Sequence, residues 1–430
     1  MKETFKTIIV SILIAEAAFL LRRKKPIIVA ITGSVGKTST KDAIYAAIKG
    51  SVQARKSQKS FNSDIGVPLT VLGLPNGWSN PALWLKNIFD GFLTAVFSKE
   101  YPAVLILETG IDQPGDMEKL TKWMKPDFVV LTRLPNIPVH VEAFRSPEAV
   151  VAEKMKLVTA LKASGKLIFN NDDTIIQAQL PDVLQEQVSF SRYVPADFQA
   201  SADKIVYADD VPIGVAFTLT YLEETHSVQL KNTVGTQHMY AVCAAIAVAN
   251  ELGVDMKTAI ESVQELQTPN GRMRLIPGLK SSLLIDDTYN SSPIATESAL
   301  EALAEIKYAG RKIAVLGDML ELGKYSAEQH KQIGQRVAKT AHVLFTVGVR
   351  ARGIAEGALA AGMNESNIFQ YDDVQRAGQE LQAFLKSGDV VLVKASQGIR
   401  AERIIEEVMN NPEQAPELLV RQDSSWKAIN

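Results

Sequence analysis

Short apolar runs alternate along the chain with polar, glycine-bearing turns and longer amphipathic stretches. Residues 27–31, 104–107, 128–131 and 166–169 are short runs that are apolar apart from Lys166, the pattern of strands buried in a parallel sheet. Residues 41–49 and 240–252 are rich in helix formers with helical spacing of apolar positions, which predicts helices. Between about 188 and 230 the pattern turns to strict alternation, as in Val215-Ala216-Phe217-Thr218-Leu219, and predicts a small antiparallel patch. Thr268-Pro269-Asn270-Gly271 is turn chemistry and divides the chain. Beyond it, strand runs at 282–285, 312–316, 343–347 and 390–394 alternate with helical stretches at 294–305, 327–339, 374–385 and 401–409. That alternation predicts a second doubly wound α/β unit. Residues 411–430, with Pro412 and Pro416 among polar neighbours, read as a loose polar tail.

The N-terminal run from Thr7 to Leu21 is apolar except for Ser11 and Glu16, and Arg22-Arg23-Lys24-Lys25 follow it. As a helix it would span roughly 22 Å, short of a hydrocarbon core of roughly 30 Å. Its basic residues follow the apolar run rather than precede it, which argues against a cleaved signal peptide. Two readings stay open for residues 1–25. One is a membrane anchor with the basic cluster on the cytoplasmic side. The other is a helix packed on the next domain through Phe5, Ile8, Ile9, Ile12 and Leu13.

A chain of 430 residues, 46% hydrophobic and 22% charged, is an ordinary globular protein with room for two or three domains. A net charge of −2 supplies no basic field, which excludes nucleic acid as the expected partner. The single cysteine, Cys243, lies in Val242-Cys243-Ala244-Ala245 and reads as a packing residue. One cysteine makes no internal disulfide, consistent with a reducing, cytoplasmic compartment.

The chemistry starts at Thr32-Gly33-Ser34-Val35-Gly36-Lys37-Thr38-Ser39, directly after the first strand run and before a helix. Such a loop turns backbone N–H groups and a helix N-terminus towards phosphate. Lys37 can reach the outer phosphates of ATP, and the Thr38 hydroxyl can ligate Mg²⁺. Ile31 stands where the common eight-residue pattern has its first glycine. Glu108 ends a strand in Leu107-Glu108-Thr109-Gly110 and is placed to share that metal. His140 follows the next strand, in Val139-His140-Val141-Glu142, and Lys154 lies on the helix after it. In the second unit, Asp286-Asp287-Thr288-Tyr289-Asn290, Gly317-Asp318-Met319 and Lys394-Ala395-Ser396 end three strands, which would line one cleft.

These stretches, in this order, resemble the Mur ligases, ATP-dependent amide ligases of peptidoglycan precursor synthesis. The resemblance is carried by the phosphate loop, Asn62-Ser63-Asp64-Ile65-Gly66-Val67-Pro68, Glu108-Thr109-Gly110, His140-Val141-Glu142, Gly271-Arg272-Met273, Asp286 to Asn290 and Val315 to Gly323. Within the family they are most similar to the branch that adds D-alanyl-D-alanine to a UDP-N-acetylmuramoyl-tripeptide. The resemblance implies a central phosphate-loop ATPase domain at 26–268 and a C-terminal Rossmann-like ligase domain at 269–410. It implies an acyl-phosphate mechanism in which Gly33, Ser34, Val35, Gly36, Lys37, Thr38 and Ser39 bind ATP. Thr38 and Glu108 would hold one Mg²⁺, and Glu108, His140 and a carbamylated Lys154 a second. Asn290 would sit near the adenine, Arg272 near the phosphates, and Asp318 and residues 394–396 would face the acceptor amine.

Several positions depart from that pattern. The branch usually carries an N-terminal UDP-binding domain, and only residues 1–26 precede the phosphate-loop strand here, so that domain is expected to be lacking. The acidic residue usual two positions after the carbamylated lysine is Lys156, the usual Gly-x-His-Asn reads Gly235-Thr236-Gln237-His238, and Lys-Gly-Ser reads Lys394-Ala395-Ser396. The expectation is a peptide ligase that takes a UDP-muramoyl donor, with a partner chain supplying donor binding as one route. A lipid-linked donor and a catalytically silent, membrane-associated nucleotide-binding scaffold are the alternatives.

Overall fold

The computed structural model describes residues 3–58, 61–78, 80–423 and 426, with side chains from Thr7 onwards. Strands β1 (Ile27–Thr32), β2 (Ala54–Lys56), β3 (Val104–Glu108), β4 (Phe128–Leu131), β5 (Lys166–Asn170), β6 (Glu186–Ser191), β7 (Phe198–Ala208), β8 (Val211–Tyr221) and β9 (Glu224–Lys231) form one sheet. Its order is β2-β3-β1-β4-β5-β6-β7-β8-β9. The run from β2 to β6 is parallel, and β7, β8 and β9 add an antiparallel meander. The switch follows the sequence pattern: the parallel strands are buried on both faces, whereas β7 alternates buried and solvated positions.

Helices cover both faces of the parallel part. Helix α1 (Glu3–Lys24), α3 (Gly66–Leu72), α4 (Pro81–Phe97), α5 (Asp116–Thr121), α6 (Pro147–Thr159) and short α7 (Thr174–Gln177) pack on one side, and α2 (Lys37–Ile48), α8 (Gln237–Glu251) and α9 (Met256–Gln264) on the other. Strand β1 shows why both are needed, since Ile28 and Ala30 enter one core and Val29 and Ile31 the other. Cys243 is buried in the α8 core, and burial pushes its thiol up from the ordinary value.

The second sheet contains β10 (Arg274–Gly278), β11 (Ser282–Asp286), β12 (Lys312–Gly317), β13 (Val343–Val347), β14 (Ile368–Tyr371) and β15 (Val390–Lys394), in the order β10-β11-β15-β12-β13-β14. Only β10 runs antiparallel to its neighbour. Helices α10 (Pro293–Glu305), α11 (Ser326–Thr340) and α12 (Arg352–Ala360) cover one face, and α13 (Val374–Phe384) and α14 (Glu402–Val408) the other. The change of sheet falls between Gln264 and Arg274.

Two readings of the termini need correction. Of the alternatives for residues 1–25, the packed helix is what forms, because Ile9, Leu13, Ala17 and Leu20 are buried against α3 and α4. Among the described residues no helix is long and apolar enough to cross a membrane. The buried stripe also differs from the expected one: Ile8 points outward at 55% exposed, Ile12 is half-buried, and the Phe5 side chain lies outside the described residues. The C-terminal segment is no loose tail over 411–423. Ala415 and Leu419 enter the second core, and Asn270 donates to the Glu417 and Leu419 carbonyls. Most of 424–430 lies outside the described residues.

Candidate active site between the two domains

The phosphate loop is braced from the neighbouring strand. Thr132, just past β4, donates its hydroxyl to the Val35 carbonyl at 2.7 Å, and Ser34 donates its N–H to the Arg133 carbonyl at 2.7 Å. Gly33 (φ 143°) passes so close that a Cβ would stand 2.1 Å from Thr132 Oγ1, and Gly36 caps α2 in the left-handed region at φ 88°. Both positions require glycine. The α2 N-terminus is thereby aimed into the gap between the domains.

Two lysines converge on one loop carbonyl. Lys37 Nζ donates to Gly33 O at 2.9 Å and Lys154 Nζ, from α6, donates to the same oxygen at 3.2 Å. Lys154 is 1% exposed. Burial pushes its ammonium well below the ordinary lysine value, and neighbouring Lys37 adds to the shift. Lys37 is lowered by burial too, against the opposing pull of Glu108. Opposite them stands Glu108 at the end of β3. Its Oε1 accepts from Thr38 Oγ1 at 3.2 Å and from Asn62 Nδ2 at 3.3 Å. Its Oε2 is buried, accepts no hydrogen bond, and faces Lys41 Nζ at 3.7 Å. The Asn62–Pro68 stretch therefore acts by presenting Asn62 to the carboxylate, with Gly110 N–H bonded to the Asn62 carbonyl.

The second domain completes the site. Arg272 reaches across to place Nη2 3.5 Å from Thr38 Oγ1, its guanidinium lies 4.1 Å above the Tyr289 ring, and its buried Nε has no hydrogen-bond partner. His140 Nδ1 pairs with Glu321 Oε2 of the second domain at 2.9 Å, which holds that carboxyl below its usual value. Lys394 Nζ forms a buried pair with Asp287 at 2.6 Å and also donates to the Asn290 carbonyl. The groove so enclosed has a volume of about 1210 Å³, just above the ~300–1,000 Å³ of a single-ligand pocket.

A smaller cavity opens behind the loop, bounded by Gly36, Ser39, Asn170, Gln237, Tyr240 and Arg272. Gln237 Oε1 is buried there without a hydrogen-bond partner. An unpaired amide oxygen beside a phosphate loop suits an exocyclic amine such as that of adenine. His238, next in sequence, also lines this cavity but is engaged: it bonds Thr233 Oγ1 at 2.8 Å, and burial lowers it to about 4, so it stays neutral. Sequence reasoning had no signal for Gln237 beyond the altered Gly235-Thr236-Gln237-His238 motif.

Other expected site residues fall elsewhere. Asn290 is on the wall of the large groove rather than in the small cavity, and its Oδ1 accepts from the Ser291 N–H at 2.9 Å. Asp318 is spent on structure, accepting the Ala351 N–H at 2.7 Å at the start of α12. Lys156 points away from the loop and pairs with Glu153 at 2.8 Å. Missed from the sequence is Arg421, which lines the groove, donates to the Thr288 and Tyr289 carbonyls and pairs with buried Glu402 at 3.0 Å.

The Thr38 hydroxyl and the unbonded Oε2 of Glu108 offer hard oxygens beside the loop, and they fit one Mg²⁺ completed by phosphate and water. The second set is not assembled: His140 is turned to Glu321 and Lys154 to Gly33. Among the described residues no three His, Cys, Asp or Glu side chains form a metal-sized group.

Comparison with known proteins follows the same two-domain division. Residues 91–249 match the Mur ligase middle domain, and residues 271–397 match the Mur ligase glutamate ligase domain. The UDP-N-acetylmuramoyl-tripeptide–D-alanyl-D-alanine ligase of Bacillus subtilis (strain 168) is 27% identical over 386 residues, covering 90% of this chain and 76% of that enzyme. The enzyme of the same name from Mycobacterium tuberculosis (strain H37Rv) is 28% identical over 392 residues, covering 86% of this chain and 70% of that one. Among solved structures, the MurF ligase of Thermotoga maritima in complex with ADP superposes with a TM-score of 0.74 at 24% identity, over 93% of this chain and 83% of that chain. MurF of Acinetobacter baumannii gives a TM-score of 0.76 at 20% identity, over 91% and 79%. At these identities the superpositions establish the fold.

Proposed function

The chain belongs to the Mur ligase family, and we propose that it is an ATP-dependent peptide ligase joining D-alanyl-D-alanine to the tripeptide carboxylate of a UDP-N-acetylmuramoyl donor. The named relatives support this reading. The observation that carries it is the convergence of side chains from both domains on the phosphate loop. Lys37 and Lys154 share the Gly33 carbonyl, while Arg272 arrives from the second domain at 3.5 Å from Thr38. Lys37, Arg272, a helix N-terminus and the Glu108 carboxylate around one loop suit a transferring phosphoryl group, where charge stabilisation dominates catalysis.

In the reaction, a donor carboxylate oxygen attacks the γ-phosphorus and ADP leaves. The amine of the acceptor then attacks the acyl carbon, loses a proton, and orthophosphate departs with the former carboxylate oxygen. Lys37 and the loop N–H groups hold the outer phosphates, and Arg272 neutralises charge from the far side. Gln237 takes the base edge. The two domains close off water around the acyl phosphate, which water would otherwise hydrolyse. Thr38 and Glu108 would hold Mg²⁺, which supplies Lewis-acid polarisation of the phosphates. Lys154, driven towards its neutral amine by burial, would add to carbon dioxide and release one proton, and the resulting carbamate would place an anionic oxygen beside the loop. A nucleotide-consuming reaction of this kind belongs in the cytoplasm.

The test is isotopic. With the donor carboxylate labelled with oxygen-18, the orthophosphate released should carry one labelled oxygen. Unlabelled phosphate formed alongside product would overturn the acyl-phosphate route.

A further inference from the structure

The outer face of α4 carries apolar surface for which the fold has no use. Trp84, Asn87, Gly91 and Ala95 turn inward. Leu85, Phe89, Phe92, Leu93 and Phe97 turn outward, at 61%, 61%, 49%, 38% and 65% exposed. Their i, i+4, i+7, i+8, i+12 spacing puts all five on one side of the helix. Helix α1 runs alongside in the same direction. Glu16 of α1 closes on Gly91, where a Cβ would meet its carboxylate at 2.2 Å, and Arg23 and Lys24 donate to the Ala95 and Lys99 carbonyls at 3.0 and 2.8 Å. Helix α1 exposes Ile8 and Phe19 as well, with Arg22 one turn beyond Phe19.

Charge is concentrated at the C-terminal end of α1, where Arg22, Arg23, Lys24 and Lys25 follow one another in a chain whose net charge is −2. Phenylalanine and leucine on one helix face with a basic cluster at its margin is the chemistry of a segment lying in the headgroup layer of an anionic bilayer. A protein partner would account for the apolar row but not for the excess of cations at its edge. We propose that the α1–α4 face docks this protein on an anionic lipid surface, with the Phe89–Phe97 side of α4 and Phe19 in the acyl boundary and Arg22 to Lys25 among the headgroups.

This mode needs no helix to cross the bilayer. It also gives the groove a defined place, because Trp78 lines the groove and stands two residues before Asn80, the N-cap of α4. Docking would hold the groove mouth beside the membrane surface. The inference stands on surface chemistry and does not depend on the ligase reading.

The test is sedimentation of the full chain with phosphatidylcholine vesicles, with and without phosphatidylglycerol. The wild type should pellet with the anionic vesicles, and added salt should release it. The double variant Phe89→Ser/Phe97→Ser should weaken the partition about tenfold or more, and Arg22→Gln/Lys25→Gln should remove the preference for phosphatidylglycerol. Unchanged thermal melting of both variants would separate lost docking from lost folding. Failure of the wild type to pellet with anionic vesicles would overturn the proposal. So would equal partition of the wild type and Phe89→Ser/Phe97→Ser, or a wild-type dimer in solution that this variant dissociates.

Discussion

Lys154 shows how far a side chain's chemistry depends on what the fold wraps around it. In sequence it is one lysine of Glu153-Lys154-Met155-Lys156 on an amphipathic helix. In the structure its neighbour Lys156 pairs at the surface with Glu153, whereas Lys154 is buried and bonded to the phosphate loop across the sheet. Only the family resemblance separates the two lysines before folding. Lys154→Ala should reduce ligation by at least about 10²-fold if a carbamate oxygen is lost from the phosphoryl site, with ATP binding retained. Added formate or acetate should restore part of the rate. Unchanged turnover, measured by coupled ADP release, would remove the carbamate. The meeting of Lys37, Thr38 and Glu108 at the phosphate loop was legible because motif and strand-end position fix where each stands. Gln237 and Arg421 were not, because what matters about each is a partner or a cavity supplied from distant sequence, such as Glu402 and the Thr288 carbonyl for Arg421.

At the scale of elements, strands read more surely than helix faces. The aliphatic runs at β1, β3, β4 and β5 are buried on both sides, so any register leaves them apolar, and their bounds fall within a residue of the pattern. Helices α1 and α4 are apolar on nearly every side, and such a pattern does not say which stripe turns inward. The expected stripe on α1 was therefore partly misplaced at Ile8. Glu16 marks the true interior side. Its Oε2 is buried beside Gly91 without a hydrogen bond, and burial raises its carboxyl to about 7 from 4.5. The sign follows from linkage: the folded state holds the proton more tightly, so this contribution to stability is fully present below about 4.5 and is lost as pH rises through about 7. Glu16→Gln should thus melt roughly 2 °C above wild type at pH 8, a modest effect because the group is half-exposed and screened. The two should coincide near pH 4. A variant that melts lower at pH 8 would show that the ionised carboxylate has a partner there.

At the scale of the molecule, the division into two doubly wound units was visible from the turn at 268–271 and the strand–helix alternation on either side. What joins the units was not. Arg272 leaning over Tyr289 towards Thr38 and His140 paired with Glu321 are contacts between segments far apart in sequence. They bring the carboxyl ends of both sheets to one groove, and the ligase reading rests on that meeting. The measurement that tests it most directly is orthophosphate release with ATP, Mg²⁺, UDP-N-acetylmuramoyl-tripeptide and D-alanyl-D-alanine, each omitted in turn. Sustained release that requires all four, accompanied by the pentapeptide product, is the predicted result. ATP binding with no release in the complete mixture, or release indifferent to either peptide, would contradict it.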